Sequence, residues 1–109
     1  MRTALAQIGD PYVYGAAGPD TFDCSGLTMY AWAAAGVSLP HNAAMQASTG
    51  TPVSLSSLQP GDLVFYYSPI SHVGMYIGHG QIVHAPHTGS SVQIVPMTEM
   101  PIAMAVRIG

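Results

Sequence analysis

Pro60-Gly61-Asp62-Leu63-Val64-Phe65-Tyr66-Tyr67 is the stretch in which this chain changes character. A proline–glycine turn opens it, and an unbroken run of strand-favouring residues follows. Before it, the chain is punctuated as short helices and loops; after it, as strands. Helices first and sheet second point to an α+β fold and away from the alternation of an α/β one.

Downstream, residues 71–77 read as the second strand, with His72, Gly74 and Tyr76 on one face and Val73, Met75 and Ile77 on the other. Residues 81–85 read as the third strand, and residues 92–95 and 103–108 as further ones. The turn after the second strand decides where two histidines fall. A two-residue loop at His79-Gly80 sets His84 opposite Met75, away from His72. A three-residue loop, Gly78-His79-Gly80, sets it opposite Gly74 and diagonal to His72, and Gly80 supplies the left-handed residue such a loop wants. Gly74 weakens a strand interior, which implies close approach by another group; a helix-borne thiol or a substrate backbone would suit that room.

Upstream, residues 3–8 form a short helical candidate closed by Gly9-Asp10-Pro11, and a breaker-rich loop over residues 15–20 leads into Phe22-Asp23-Cys24-Ser25-Gly26-Leu27. Asp23 is a favoured N-cap, no proline interrupts residues 25–35, and Gly36 stands where a helix would end. Cys24 therefore falls in the first helical turn. Free backbone N–H groups and the positive end of the dipole favour an anion there, so the thiol is expected to ionise more readily than a free one. Leu27 or Thr28, Ala31 and Ala34 follow on its side and turn the sulfur toward the body of the domain. Residues 41–48 read as a second short helix, and residues 54–58 as one more turn.

At 109 residues, about half of them apolar, the chain is read as one domain spanning 1–109. Arg2 and Arg107 are the only strong cations and lysine is absent, which argues against nucleic-acid binding by phosphate neutralisation. No apolar run approaches the ~20 residues of a bilayer span. No signal peptide is visible, and the chain reads as a domain cut from a longer exported protein. A single cysteine excludes an internal disulfide.

A lone cysteine is more often a small buried hydrophobe than a nucleophile, and it needs a histidine brought from elsewhere in the fold to be catalytic. The chain offers His41, His72, His79, His84 and His87. His72 and His84 lie on neighbouring strands, where one can act as base while the other holds its ring. His79 is a turn residue, and His41 and His87 lack a partner by spacing. No histidine pair has the helical zinc spacing and acidic residues are few, so neither metal nor cofactor is expected.

Four ordered motifs carry a specific resemblance: Asp23-Cys24-Ser25-Gly26-Leu27, Pro60-Gly61-Asp62-Leu63-Val64-Phe65, Ser71-His72-Val73-Gly74-Met75-Tyr76-Ile77-Gly78 and Val83-His84-Ala85. Together, over nearly the whole chain, they resemble the NlpC and p-sixty family of bacterial cell-wall peptidases. The resemblance implies a papain-like fold, with the cysteine helix packed on an antiparallel sheet that carries the histidines. It implies as partner the stem peptide of peptidoglycan, cut in most members between D-γ-glutamate and a diamino acid such as meso-diaminopimelate. By position Cys24 matches the family nucleophile, His72 its base and His84 the residue that orients the base. Tyr12 matches a tyrosine beside the thiol that assists the oxyanion site, and Asp23 and Ser25 match residues lining a pocket for the substrate's free amine. Relatives often carry an arginine soon after the leucine-proline that follows the helix, whereas here Leu39-Pro40 is followed by His41; Gly15-Ala16 replaces a more usual glycine pair.

The expected protein is thus a monomeric cysteine endopeptidase, secreted or wall-associated. Rival readings are a papain-like amidase or acyltransferase, and a catalytically idle wall-binding domain. The intact set of Cys24, His72 and His84 argues against idleness.

Overall fold

The structure, a computed structural model, describes residues 1–108. Three helices precede the main sheet: α1 (Arg2–Leu5), α2 (Cys24–Ala33) and α3 (Ala43–Gln46). The strands are β1 (Thr51–Pro52), β2 (Leu63–Tyr66), β3 (His72–Gly78), β4 (Gln81–His84), β5 (Gln93–Pro96) and β6 (Ile102–Arg107), with a 3-10 turn at Leu55–Ser57 before β2. They form one antiparallel sheet in the order β1-β6-β2-β3-β4-β5. The α+β class expected from the sequence is the one observed.

Sheet alternation divides the interior into two layers. On one face Leu63, Phe65, Val73, Met75, Val83 and Val106 pack against Phe22, Leu27 and Ala31 at the cysteine helix. On the other, Val64, Tyr66, Ile82 and Ala105 are covered by Val53, Leu58, Val95, Met97 and Met100. Each fully buried aliphatic or aromatic side chain contributes roughly 1.5–3 kcal/mol, so the helix is held to the sheet chiefly by these contacts and not by its own propensity. Tyr66 is wholly buried, and its hydroxyl is satisfied by donating to the Met97 carbonyl at 2.8 Å.

The β3–β4 hairpin combines the two turns weighed above. Only His79 and Gly80 lie between the strands, both with positive φ, yet Met75 faces Val83 and Tyr76 faces Ile82. A bulge between Tyr76 and Gly78 absorbs one residue and restores the register of the three-residue loop. The next pair along is Gly74 with His84. The space above Gly74 is not left for thiol or substrate: a Cβ there would lie 2.6 Å from Ile82 Cδ1 and 3.4 Å from His84 Cβ. Glycine at 74 is what lets Ile82 and His84 close over β3.

Two expectations need correction at the helices. The second helix is α3 alone, because Asn42 caps it by accepting from the Met45 N–H at 2.9 Å, and His41 is left in the approach to the helix. Ala34 is exposed beyond the end of α2, so it does not share the buried side that holds Leu27, Thr28 and Ala31. The strand β1 was not foreseen; its proline is tolerated at the sheet edge, where no further strand needs its missing N–H.

Two polar fastenings complete the frame. Buried Asp62, in the turn before β2, takes Arg107 Nε and Nη2 on its two oxygens at 3.0 and 2.9 Å, tying β6 to that turn. Gln46 is fully buried: its amide donates to the carbonyls of Ser25 and Pro40 and its oxygen accepts from Thr28 Oγ1 at 2.6 Å, which clips α3 to α2.

Candidate active site

Asp23 builds the start of α2. One carboxylate oxygen accepts the Gly26 N–H at 2.7 Å, and the other accepts the Gly15 N–H at 3.0 Å, so the cap also fixes the loop before the helix. The Asp23 N–H in turn donates to the Ala16 carbonyl at 2.8 Å, and a Cβ on Gly26 would overlap that carbonyl. The glycine of the Asp-Cys-Ser-Gly motif is therefore a close-approach residue. Tyr12 is drawn to the same place by a β-bridge to Phe22.

Cys24 is partly buried. Burial pushes its thiol pKa up, the Val73 backbone N–H pulls it down, and the Asp23 carboxylate pushes it up again; the N–H groups of Ser25 and Cys24 itself also pull down, and the net direction is upward. This reverses the expectation drawn from the helix start. The N-terminal N–H groups do act on the sulfur, but desolvation outweighs them. Among the described residues no hydrogen bond joins the sulfur to the His72 ring; Cys24 packs against the core cluster that includes Val73, the residue after His72.

His72 and His84 are both buried, 6% and 3% exposed. His72 Nε2 and His84 Nδ1 lie 2.8 Å apart, with ring planes inclined at 79°. Burial lowers the pKa of each to about 4; for His84 the charges of His72 and His87 lower it further. Two neutral imidazoles joined by one hydrogen bond must divide the roles. With the His72 Nδ1 lone pair free, Nε2–H donates to His84 Nδ1, and His84 carries its proton on Nε2, which is buried without a protein partner among the described residues.

Two cavities flank this segment. One, of about 330 Å³, is lined by Tyr12, Asp23, Cys24, Ser25, His41 and Ser71 among others. The second, of about 430 Å³, is lined by Ser71, His72, His84, His87, Gln93 and Glu99 among others. Ser71 belongs to both, so the thiol and the histidine pair open on opposite sides of the Ser71–His72 step. Ser25 is buried, with its hydroxyl 3.4 Å from Asp23 Oδ1, a distance too long for a strong bond. Burial raises the Tyr12 pKa, followed by the Cys24 and Asp23 charges, so its hydroxyl remains a donor, and Tyr12 lines the same cavity as Cys24. Among the described residues no three histidine, cysteine or acidic side chains are grouped to hold a metal ion.

His41 is the residue that spacing did not find. Its Nε2–H donates to Asp23 Oδ1 at 2.8 Å, across eighteen positions of sequence. No periodicity joins the two residues; the available signal was that His41 immediately precedes the Asn42 cap, at the end of the loop that returns from α2.

The family model described as the NlpC/P60 family matches residues 9–107. A "Probable endopeptidase" of Mycobacterium tuberculosis is 50% identical over 97 residues, covering 89% of this chain and 25% of that protein. A "Probable endopeptidase" of Corynebacterium glutamicum is 46% identical over 107 residues, covering 98% of this chain and 51% of its own length. The chain thus spans between a quarter and a half of these curated relatives. Among solved structures, the crystal structure of the NlpC/p60 domain of the peptidoglycan hydrolase SagA superposes with a TM-score of 0.90 at 37% identity, covering 98% of this chain and 94% of that one.

Proposed function

The chain belongs to the NlpC/P60 family, and from that premise we propose that it is a cysteine endopeptidase acting on the stem peptides of peptidoglycan, at the bond between D-γ-glutamate and a diamino acid. The observation that carries this reading is the His72–His84 hydrogen bond of 2.8 Å on the β3–β4 hairpin, one residue before Val73, which belongs to the core cluster that Cys24 packs against. This supports reading Cys24 at the helix start as nucleophile, His72 as base and His84 as the group that orients it.

The reaction begins with thiol and imidazole both neutral, because burial disfavours the charged form of each. His72 accepts the Cys24 proton as the sulfur attacks the amide carbonyl. The developing oxyanion is met by the Cys24 backbone N–H at the helix start and by the Tyr12 hydroxyl. His84 supports the imidazolium by accepting from its Nε2–H. His72 then gives the proton to the departing amine, leaving a thioester on Cys24. Water, deprotonated by the same imidazole, attacks the thioester, and collapse returns the thiol and releases the acid. No step calls for a cofactor.

Asp23 and Ser25 lie on the Cys24 side of the Ser71–His72 step, where the acyl portion of the substrate would rest. A carboxylate there suits the free amine of a stem peptide already detached from its sugar. A wall substrate also implies a domain working outside the cell as part of a longer protein.

Digestion of purified peptidoglycan with this chain and with its Cys24→Ala variant, read by mass spectrometry, tests the proposal. The expected products are new termini at D-γ-glutamate and at the diamino acid, absent with Cys24→Ala. Cleavage at another bond, or cleavage that survives Cys24→Ala, overturns it.

A further inference from the structure

We propose that His41 sets the charge of the amine-binding carboxylate, and so makes selection of a free-amine substrate depend on pH. The inference rests on the reading that Asp23 receives the substrate amine. Asp23 Oδ1 already accepts from the Gly26 N–H at 2.7 Å and from His41 Nε2 at 2.8 Å. His41 is about a third exposed and lines the same cavity as Cys24, so its ring is open to solvent while touching the carboxylate.

The imidazole contributes differently in its two states. Neutral, it donates one hydrogen bond and leaves the Asp23 charge whole; protonated, it forms an ion pair and cancels that charge toward an incoming ammonium. The other titratable groups lining the cavity are Asp23, Cys24, Tyr12 and Tyr14. Among the described residues of the cavity wall, His41 is the only side chain that can become a cation. An arginine on Asp23 would hold the pair charged at every working pH. Histidine makes it adjustable.

The test is calorimetric binding of L-Ala-D-γ-Glu-diaminopimelate and its N-acetylated form to the Cys24→Ala protein, which cannot consume them. The peptide amine stays largely protonated between about pH 5 and 7, and imidazoles change charge there. The ratio of the two affinities cancels titrations that affect both peptides. The preference for the free amine is expected to fall about fivefold from about pH 7 to about pH 5, the scale of a partly exposed ion pair. His41→Gln should hold the ratio at its high-pH value throughout, and His41→Arg at its low-pH value. A flat ratio with His41 present, or a pH-dependent one in His41→Gln, overturns the proposal. Hydrolysis by the Cys24 protein is scored separately, so loss of the enzymatic reading and loss of this one are distinguishable. If neither peptide binds, both fall.

Discussion

His72 Nε2 stands 2.8 Å from His84 Nδ1 because a bulge in β3 shifts the register by one residue just before the turn. Without it His84 would point to the opposite face. The contact orders the consequences of removing each ring. On the proposed mechanism His72→Ala removes the proton acceptor itself, and activity should fall roughly a thousandfold or more. On the same mechanism His84→Ala removes only the group that holds the acceptor, and at least tenfold more activity should remain than in His72→Ala. Steady-state kcat/KM on a stem tripeptide, with circular dichroism to confirm folding, checks the ranking; equal losses in two folded variants would sink it.

The same burial predicts an unusual response to acid. The folded pKa of each histidine is about 4, against 6.5 for an ordinary imidazole, so between those values the unfolded chain binds more protons than the folded one. Stability should therefore decline as pH falls from about 6.5 toward about 4, and His72→Ala with His84→Ala should flatten that decline. The acid limb of kcat/KM, which reports the pair as a unit, should lie near 4 and not near 6.5. Thermal melts and rates across this range decide it. An acid limb at the ordinary imidazole value would mean that the pair is far better solvated than its burial indicates.

The thiol gives an independent reading of the same desolvation. Since burial outweighs the N–H groups around the sulfur, the iodoacetamide reactivity of Cys24 should reach half its maximum above the ~8.5 of a free thiol. A midpoint below that value would show a preformed thiolate, and the first step would then start from an ion pair.

Much of this was legible because the relevant signals are local. The N-cap at Asp23, the alternation through His72, Gly74 and Tyr76, and the turn glycines each state a backbone preference within a few residues. The direction of the Cys24 shift was not legible, because helix-start chemistry is local while desolvation depends on how the core cluster packs around Cys24. His41 on Asp23 and Gln46 on Thr28 were missed for the same reason. Each partner lies eighteen residues away, set by where α3 docks and by no pattern along the chain.

Gly26 offers the sharpest check on how the site is assembled. It lies inside α2, where alanine is ordinarily favoured over glycine by about 1 kcal/mol. Here the sign should reverse, because the added methyl would overlap the Ala16 carbonyl and lie 2.8 Å from Asp23 Oδ1. That carbonyl is held in place by the Asp23 N–H, so relief requires moving the loop that positions Tyr12 and Gly15 away from the helix. Gly26→Ala should destabilise the domain by about 3 kcal/mol, and activity should fall even at temperatures where the variant is folded. Gly36→Ala is an informative companion, since its surroundings are open and its cost is confined to its positive φ; about 1 kcal/mol is expected there. Denaturant melts of the two variants, read beside kcat/KM, provide the test. If Gly26→Ala proves as stable as the parent, the loop does not rest on the first turn of α2 as described, and the placement of Tyr12 in the wall of the Cys24 cavity fails with it.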